Sequence, residues 1–324
     1  MTIRICLPAK LRGNVFTNQL NTMQLLSGLR IDFFMRIVQG LLFLFAMVLA
    51  ANGPAAAAGE NAIPVVVELF TSEACSSCPP ADALLTKLSE QRVVNGAEVF
   101  VLGEHVDYFN HLGWTDRFSS AAFTERQYGY AKRFHLSSVY TPQMVVDGRF
   151  EGLGSDAASV EREIGAAAHS GKTASVSLKW TAQNALRVTV AGAPGESSAV
   201  LLAITEDRLT TSVADGENSG RVLRHSGVVR QLRQIGMTSG SVFAGTAPIA
   251  LAASWKTRDL QIVVFVQRPG NREIIGAAAV KFPCGVPAES CGGYTGWASE
   301  VSNPRLPILS ERNLRPRLVQ NVLA

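Results

Sequence analysis

A buried-strand pattern that runs directly into a two-cysteine motif is the feature that most constrains this chain. Residues 65–70 read Val-Val-Val-Glu-Leu-Phe, an almost uninterrupted apolar run of the kind found in sheets that are covered on both faces. Cys75-Ser-Ser-Cys78 follows, and Pro79-Pro80 then opens a stretch whose leucines recur at helical spacing. The sequence therefore predicts two cysteines at a junction where a buried strand passes into a helix.

Two cysteines at this spacing suit thiol–disulfide exchange. Cys75, at the exposed start of the predicted helix, would attack a substrate disulfide, and Cys78, about one turn further in, would resolve the mixed disulfide. The unpaired N–H groups and partial positive charge of a helix N-terminus favour the thiolate form of such a cysteine. The motif alone does not decide between exchange, a permanent structural disulfide and a metal site, because all three use this spacing.

Residues 63–171 alternate strand and helix patterns, which predicts an α/β domain. Asp147-Gly148 predicts a hairpin turn between the last two strands. Ser119 or Ser120 is expected to cap the helix that follows the second strand. The predicted elements are strands at 65–70, 98–102, 143–146 and 149–152 and helices at 79–91, 119–134 and 155–169.

From residue 173 the pattern changes to short strands with period-2 alternation, as in Val176, Leu178 and Trp180. Turn signals separate the strands, and we expect a mostly antiparallel β-sandwich-like domain over 173–283. A cysteine-bracketed loop and a loose tail are expected over 284–324. The predicted strands are 174–180, 186–191, 199–205, 222–231, 241–250, 261–267 and 273–282, of which the stretch 222–236 is also compatible with a helix.

Residues 1–58 are predicted to hold an upstream extension and a secretory signal peptide. Arg36 supplies the positive start, residues 41–49 form the apolar core, and the alanines at 55–58 suit cleavage. The apolar run of about 15 residues is shorter than the ~20 needed to span a bilayer, so we expect no stable membrane span after cleavage. A membrane-anchoring helix is the alternative. The mature protein is expected in the periplasm or outside the cell.

Export changes what the cysteines are expected to do. Cys6 falls in the segment predicted to be removed, which leaves Cys75, Cys78, Cys284 and Cys291 in an oxidising compartment. An even number of cysteines there suggests two pairs. We therefore expect Cys284 and Cys291 to form a structural disulfide.

The composition narrows the class of partner. Apolar residues make up 47% of the 324 residues and charged residues 17%, which suffices for a substantial core. The net charge is +4, and no basic helix with interleaved aromatic residues is found, so nucleic acid is not an expected partner. No phosphate loop or hydrolase motif is found either, and we expect no cofactor. Exported proteins or small thiols are the expected redox substrates, and the oligomeric state stays open.

Three segments resemble a known family. They are residues 67–82, the stretch His105-Val-Asp-Tyr with Gly113-Trp114, and residues 139–148, which read Val-Tyr-Thr-Pro-Gln-Met-Val-Val-Asp-Gly. Together they are similar to the secreted proteins catalogued as domain of unknown function 1223. The resemblance implies a thioredoxin-like fold and an exported location, and it implies no demonstrated reaction. We therefore expect a thioredoxin-like α/β domain over 63–171, followed by the β-sandwich-like domain.

Thr141 and Pro142 are predicted to form a ledge beside the cysteines. In thioredoxin-like proteins the proline at this place follows a cis peptide bond and lies against the disulfide, so the resemblance implies the same for Pro142. The Thr141 backbone would then pair with an extended substrate, whereas an ordinary trans proline at a strand start is the alternative. His105 is predicted to move protons or to stabilise the thiolate, unless Asp107 or Tyr108 holds it in a loop.

The sequence departs from thioredoxins at one site position. Those proteins keep a buried carboxylate six residues before the first cysteine, where this chain has Leu69. Strand alternation sends the neighbouring Glu68 to the opposite face, so His105 or Glu104 would have to transfer the proton instead. Trp114 is expected to anchor its loop.

We therefore expect an exported thiol–disulfide oxidoreductase of thioredoxin-like type, with its direction unspecified. The alternative is a non-catalytic binding module of the same fold, with a structural disulfide or a metal site. A copper ion would use Cys75, Cys78 and His105 as ligands. A zinc ion would use Cys75 and Cys78 together with the second cysteine pair.

Overall fold

The computed structural model describes residues 62–283, and a mixed β-sheet of nine strands is its central feature. Within this range three helices flank the large sheet: α1 (Pro79–Gln91), α2 (Ala121–Phe134) and α3 (Ala157–His169). A short 3-10 helix spans Thr257–Asp259. The strands are β1 (Ile63–Thr71), β2 (Val93–Val94), β3 (Ala97–His105), β4 (Gln143–Val146), β5 (Phe150–Leu153), β6 (Ser175–Ala182), β7 (Ala185–Ala191), β8 (Ala199–Glu206), β9 (Leu209–Ser212), β10 (Val222–His225), β11 (Val228–Met237), β12 (Phe243–Pro248), β13 (Leu260–Gln267) and β14 (Ile274–Lys281).

The strands of the large sheet follow the order β14-β13-β8-β11-β3-β1-β4-β5, and β2 pairs with the start of β3. β1 and β3 are parallel over their full lengths, from Ile63 opposite Ala97 to Thr71 opposite His105. β4 and β5 continue the sheet antiparallel to β1, and β8, β13 and β14 are antiparallel to their neighbours at the other end. β9 pairs with β10, and β12, β7 and β6 form a separate three-stranded sheet.

The predicted division into a thioredoxin-like domain and a β-sandwich is wrong. Strands β8, β11, β13 and β14, which were expected in a separate sandwich, extend the same sheet as β1 and β3. The connection is made where β11 joins β3, with Val228 opposite Gly103 and the N–H of Gly103 donating to the carbonyl of Gly227 over 2.7 Å. An open strand edge presents unpaired backbone groups, and a later strand can satisfy them as well as a neighbouring one. Local periodicity cannot show which strand will do so.

Both faces of the large sheet are covered. On one face α1 and α3 pack on β1 and β3 around Val65 and Val67, while the β6-β7-β12 sheet packs on β8 and β13 around Leu202 and Val264. On the opposite face a second layer of apolar side chains runs across the strands and includes Phe123 of α2. Burial on both faces explains why the central strands have nearly continuous apolar sequences.

Several local predictions are confirmed. The Ser120 side chain, one of the two predicted capping residues, caps α2 by accepting from the N–H of Ala122. Asp147 and Gly148 both have positive φ and turn β4 into β5, as the hairpin signal predicted. The ambiguous stretch 222–236 forms strands β10 and β11 and no helix.

Two sets of predictions fall outside the described residues: the signal peptide over 1–58, and the loop and tail over 284–324 with Cys284 and Cys291. Within residues 62–283 no helix is both long enough and apolar enough to cross a bilayer.

Candidate functional site

Cys75 and Cys78 form a disulfide in the turn between β1 and α1. Cys78 is the residue at which α1 begins, and Pro79 follows at its first position. The N–H of Cys75 donates to the carbonyl of Ser72 over 3.2 Å, and the N–H of Cys78 donates to that of Cys75 over 3.3 Å. The cysteines therefore lie at a strand-to-helix junction, as the sequence predicted.

The disulfide is covered. Cys75 is 2% exposed and Cys78 is fully buried, whereas Ser76 and Ser77 between them are exposed. Sulfur exchange needs an incoming thiolate in line with the S–S bond. An incoming thiolate could therefore reach Cys75 only if part of the surrounding structure moved.

Thr141 and Pro142 lie beside the motif. The peptide bond between them is cis, as the resemblance implied. The Thr141 hydroxyl donates to Sγ of Cys75 over 3.3 Å, and its carbonyl accepts a 3.5 Å hydrogen bond from the hydroxyl of Ser77. The Ser77 oxygen is also 3.4 Å from Sγ of Cys75. Two hydroxyl groups, those of Thr141 and Ser77, thus lie within hydrogen-bonding distance of the Cys75 sulfur and can stabilise a thiolate there.

The β9–β10 hairpin packs against the turn that carries the cysteines. The buried side-chain amide of Asn218, in the loop between these strands, donates to the carbonyls of Glu73 and Cys75, each over 2.9 Å. Glu217 accepts a 3.0 Å hydrogen bond from the N–H of Ser76. The sequence showed only a turn signal at Asp215-Gly216 and did not predict that this loop contacts residues about 140 positions earlier.

His105 lies next to the cysteine turn but is held by Asp116. Its Nδ1 is 2.6 Å from Oδ2 of Asp116, and both side chains are buried. The same carboxylate accepts a 2.8 Å hydrogen bond from the N–H of Glu73. Burial would raise the pKa of Asp116, but the charge and hydrogen bond of His105 outweigh it, and the pKa is lowered. His105 therefore reaches the motif through Asp116 and not through the predicted neighbours Asp107 and Tyr108.

Three further ionisable side chains collect under the turn. Nε2 of His225 is 3.5 Å from Oε1 of Glu73, and its Nδ1 is 3.8 Å from Oδ1 of Asp82. Trp114 anchors its loop on the same group, because its indole N–H donates to Glu73 over 2.9 Å. Neither Asp82 nor His225 was predicted from the sequence to belong to the site. The four-residue spacing from Cys78 to Asp82 could have indicated that acid, because residues four apart share a helix face.

Glu104, one of the two residues expected to transfer a proton in place of a buried acid, is not part of this group. It alternates with His105 along β3 and faces the other side of the sheet, where its carboxylate lies 3.3 Å from Nε of Arg126. Glu68 also faces that side, as predicted, at 2.5 Å from the same nitrogen. Leu69 lies in the apolar core between β1 and α1.

The described residues do not assemble a metal site. Within residues 62–283 no group of three or more histidine, cysteine, aspartate or glutamate side chains is arranged to hold a metal ion. The predicted copper ligands are otherwise engaged: Cys75 and Cys78 with each other, and His105 with Asp116. The zinc alternative requires Cys284 and Cys291, which lie outside the described residues.

A solved structure of a bacterial protein is similar over most of this chain. Protein AGR_C_4864 from Agrobacterium tumefaciens is 29% identical, with a TM-score of 0.59, over 71% of this chain and 99% of that one. A domain of the outer membrane lipoprotein Omp28 from Porphyromonas gingivalis is 16% identical over 34% of this chain and 88% of its own. The TM-score of that comparison is 0.20. No curated protein matches the chain.

A family model described as a protein of unknown function, DUF1223, matches residues 66–267. The matched segment begins in β1, includes the cysteine motif, and ends with β13. It covers more than half of the chain, and the chain therefore belongs to the DUF1223 family.

Proposed function

We propose that this protein is an exported thiol–disulfide oxidoreductase in which Cys75 is the attacking cysteine and Cys78 the resolving one. The observation that carries the proposal is the environment of Cys75. Its sulfur accepts a hydrogen bond from Thr141 and lies next to the hydroxyl of Ser77, just before the N-terminus of α1. Hydroxyl donors and a helix N-terminus both favour a thiolate, which is the reactive form.

The same two cysteines can oxidise a dithiol substrate or reduce a disulfide substrate. A substrate thiolate attacks Sγ of Cys75, the Cys75–Cys78 bond breaks, and Cys78 leaves as a thiolate that takes up a proton. The second substrate thiol, once deprotonated, attacks the mixed disulfide, so that the substrate is oxidised and Cys75 is released as a thiolate. In the reverse direction the Cys75 thiolate attacks a substrate disulfide and releases one substrate thiolate. Cys78, once deprotonated, then attacks the mixed disulfide, which forms the Cys75–Cys78 bond and releases the second substrate thiolate. The substrates proposed are exported proteins or small thiols.

Access to Cys75 sets a condition on this chemistry. The residue is 2% exposed, and Asn218 holds its carbonyl against the β9–β10 hairpin. The hairpin forms its own two-stranded sheet, and isolated pairs of strands are marginally stable. We therefore propose that substrates reach the sulfur when the hairpin and the Ser76–Ser77 turn move apart.

The proposed location is the periplasm or the exterior of the cell. It rests on the signal-like pattern before residue 59 and on the disulfide, since such bonds persist mainly in oxidising compartments. Fractionation of cells that express the full chain tests it. Recovery of uncleaved protein in the cytoplasm would contradict it.

A second candidate function is a binding module whose disulfide is structural. The burial of both sulfurs favours it, because inert disulfides are typically inaccessible to thiols. On this hypothesis the cysteines hold the β1–α1 turn and the protein acts through its surface.

Trapping a mixed disulfide separates the two candidates. The Cys78→Ser variant keeps Cys75 as a free thiol and removes the resolving one. If the protein exchanges thiols, this variant accumulates a covalent adduct with glutathione or a disulfide-bonded protein substrate, and Cys75→Ser does not. The Ser76→Ala variant keeps both cysteines and serves as the matched control. Its rate of insulin reduction should be close to that of the wild type. Absence of an adduct in Cys78→Ser, together with no insulin reduction by the wild type, would reject the enzyme.

A further inference from the structure

His225 lies between two buried carboxylates that flank the cysteine motif along the chain. Glu73 precedes Cys75 by two residues, and Asp82 follows Cys78 by four. The two ring nitrogens of His225 point in different directions, Nε2 to Glu73 at 3.5 Å and Nδ1 to Asp82 at 3.8 Å. His225 is 3% exposed, Glu73 is fully buried and Asp82 is 6% exposed. One imidazole from the β9–β10 hairpin thus faces both flanks of the turn.

Among the described residues, His225 is the basic side chain that faces both Glu73 and Asp82. His105, whose ring centre is 4.9 Å from that of His225, is paired with Asp116. Phe118 closes another side of the ring. The groups that face His225 or its two carboxylates are Glu73 from the β1–α1 turn, Asp82 from α1, His105 from β3, Asp116 and Trp114 from the loop before α2, and Thr211 from β9. Two buried carboxylates without a cation would repel any third negative charge near them.

Protonation of His225 agrees with this arrangement. Burial alone would lower its pKa, but Asp82 and Glu73 outweigh burial and raise the pKa to about 9. Burial alone would raise the pKa of Glu73, but His225, Thr211 and Trp114 outweigh it, and that pKa is lowered. At neutral pH His225 is therefore an imidazolium, and it lies beside an ionised Glu73.

We propose that His225 is a positioning residue of the dithiol: as an imidazolium it joins the β9–β10 hairpin to Glu73 and Asp82 and offsets their charge, so that a thiolate can form in the turn between them. This inference rests on the proposed exchange function, in which a thiolate is the reacting species. His225 acts through the two carboxylates, and no contact between its ring and either sulfur is required.

The proposal fixes the direction in which each charge change should move the thiol pKa. Replacing His225 by glutamine removes the cation and leaves both acids, so the thiol pKa of the reduced motif should rise. Replacing Glu73 by glutamine or Asp82 by asparagine removes one negative charge and retains His225, so the thiol pKa should fall. The expected size is about one pKa unit, which is a tenfold change in the ratio of thiolate to thiol.

The test is a titration of the reduced protein labelled with ¹³C at the cysteine β-carbons, followed by NMR. The variants are His225→Gln, Glu73→Gln and Asp82→Asn, and His111→Gln, which changes an exposed histidine, is the matched control. A rise for the first variant, a fall for the other two and no change for the control support the proposal. Unchanged thiol titration in folded variants would overturn it.

The role of His225 and the exchange function can fail independently in these experiments. If His225→Gln does not fold, Glu73→Gln and Asp82→Asn still decide, because they relieve charge and keep the histidine. The titration uses no substrate, so a flat result rejects the role of His225 even where the wild type exchanges thiols. Conversely, an absent mixed disulfide in Cys78→Ser, together with no insulin reduction by the wild type, rejects the exchange function, whatever the titration shows.

Discussion

The hydroxyl of Thr141 donates a hydrogen bond to Sγ of Cys75 over 3.3 Å. The two residues are 66 positions apart in the chain and belong to different segments, the turn after β1 and the residues before β4. They meet because β1 and β4 are neighbours in the sheet, with Phe70 opposite Gln143. A donor aimed at the sulfur stabilises a thiolate more than a thiol, so this contact should matter most when the disulfide is reduced.

Removing the Thr141 hydroxyl should raise the pKa of the Cys75 thiol. Thr141→Val loses the donor and keeps the shape of the side chain, and we expect a rise of about half to one pKa unit. Thr141→Ser keeps the hydroxyl and should change the pKa little. The measurement is the alkylation rate of the reduced protein as a function of pH. Equal profiles for the valine and serine variants would show that the hydrogen bond has no effect on the thiol.

Loss of the Asn218 amide should open the cover over the disulfide. Asn218→Ala removes both hydrogen bonds to the cysteine turn, which should weaken docking of the hairpin by about 1–3 kcal/mol. Reduction of the disulfide by a phosphine should then become about 5- to 150-fold faster, since 1.4 kcal/mol corresponds to a factor of ten. Asn184→Ala, at an exposed turn, is the control. A reduction rate equal to that of the wild type would argue against the hairpin as the cover.

The local elements were predictable because their signals are local. The sequence placed α1 at 79–91 and the β4–β5 turn at Asp147-Gly148, and both are observed. Helical spacing and turn residues act over a few positions, so a pattern suffices to identify them. The contact between Asn218 and Cys75 depends on a fold that brings distant segments together, and no local pattern carries it.

The raised pKa of His225 predicts a pH dependence of stability. Its folded pKa of about 9 exceeds the ordinary value of 6.5, so its contribution is fully present below pH 6.5 and is lost as the pH rises through 9. The size of the loss is roughly 3 kcal/mol. Urea unfolding at pH 6 and at pH 9.5 should show this loss in the wild type and not in His225→Gln. Parallel pH profiles for the two proteins would contradict the ion pairs with Glu73 and Asp82.

Removing Arg126 should destabilise the opposite face of the sheet. Its guanidinium is buried between Glu68 at 2.5 Å and Glu104 at 3.3 Å, and burial holds the pKa of Glu104 well above its usual range. Arg126→Met would leave these acids without their cation, at a cost of about 3–5 kcal/mol in the free energy of unfolding. Lys87→Ala, which breaks an exposed pair with Glu161, should cost at most about 1 kcal/mol. Chemical denaturation measures both, and similar losses would contradict the expectation.

The error in fold class has a physical origin in the same sheet. Strand β13 is buried along nearly its whole length, which its apolar sequence indicated, but burial on both faces is compatible with more than one arrangement of strands. The decisive pairing, Val228 opposite Gly103, involves a single residue pair between β11 and β3. A pairing of one residue with one residue changes neither the hydrophobic periodicity nor the composition of the two strands. The sequence pattern therefore predicts two separate domains.

The reduction potential of the Cys75–Cys78 pair distinguishes a disulfide that takes part in exchange from an inert structural one. It is measured by equilibrating the full protein with defined thiol–disulfide buffers at pH 7 and counting free cysteines by mass spectrometry after alkylation, with Cys75→Ser as the blank. For an oxidoreductase we expect a potential above about −300 mV, in the range of disulfides that take part in exchange. A potential below about −300 mV, with no exchange with substrate thiols, would identify an inert structural bridge and rule out the proposed exchange function.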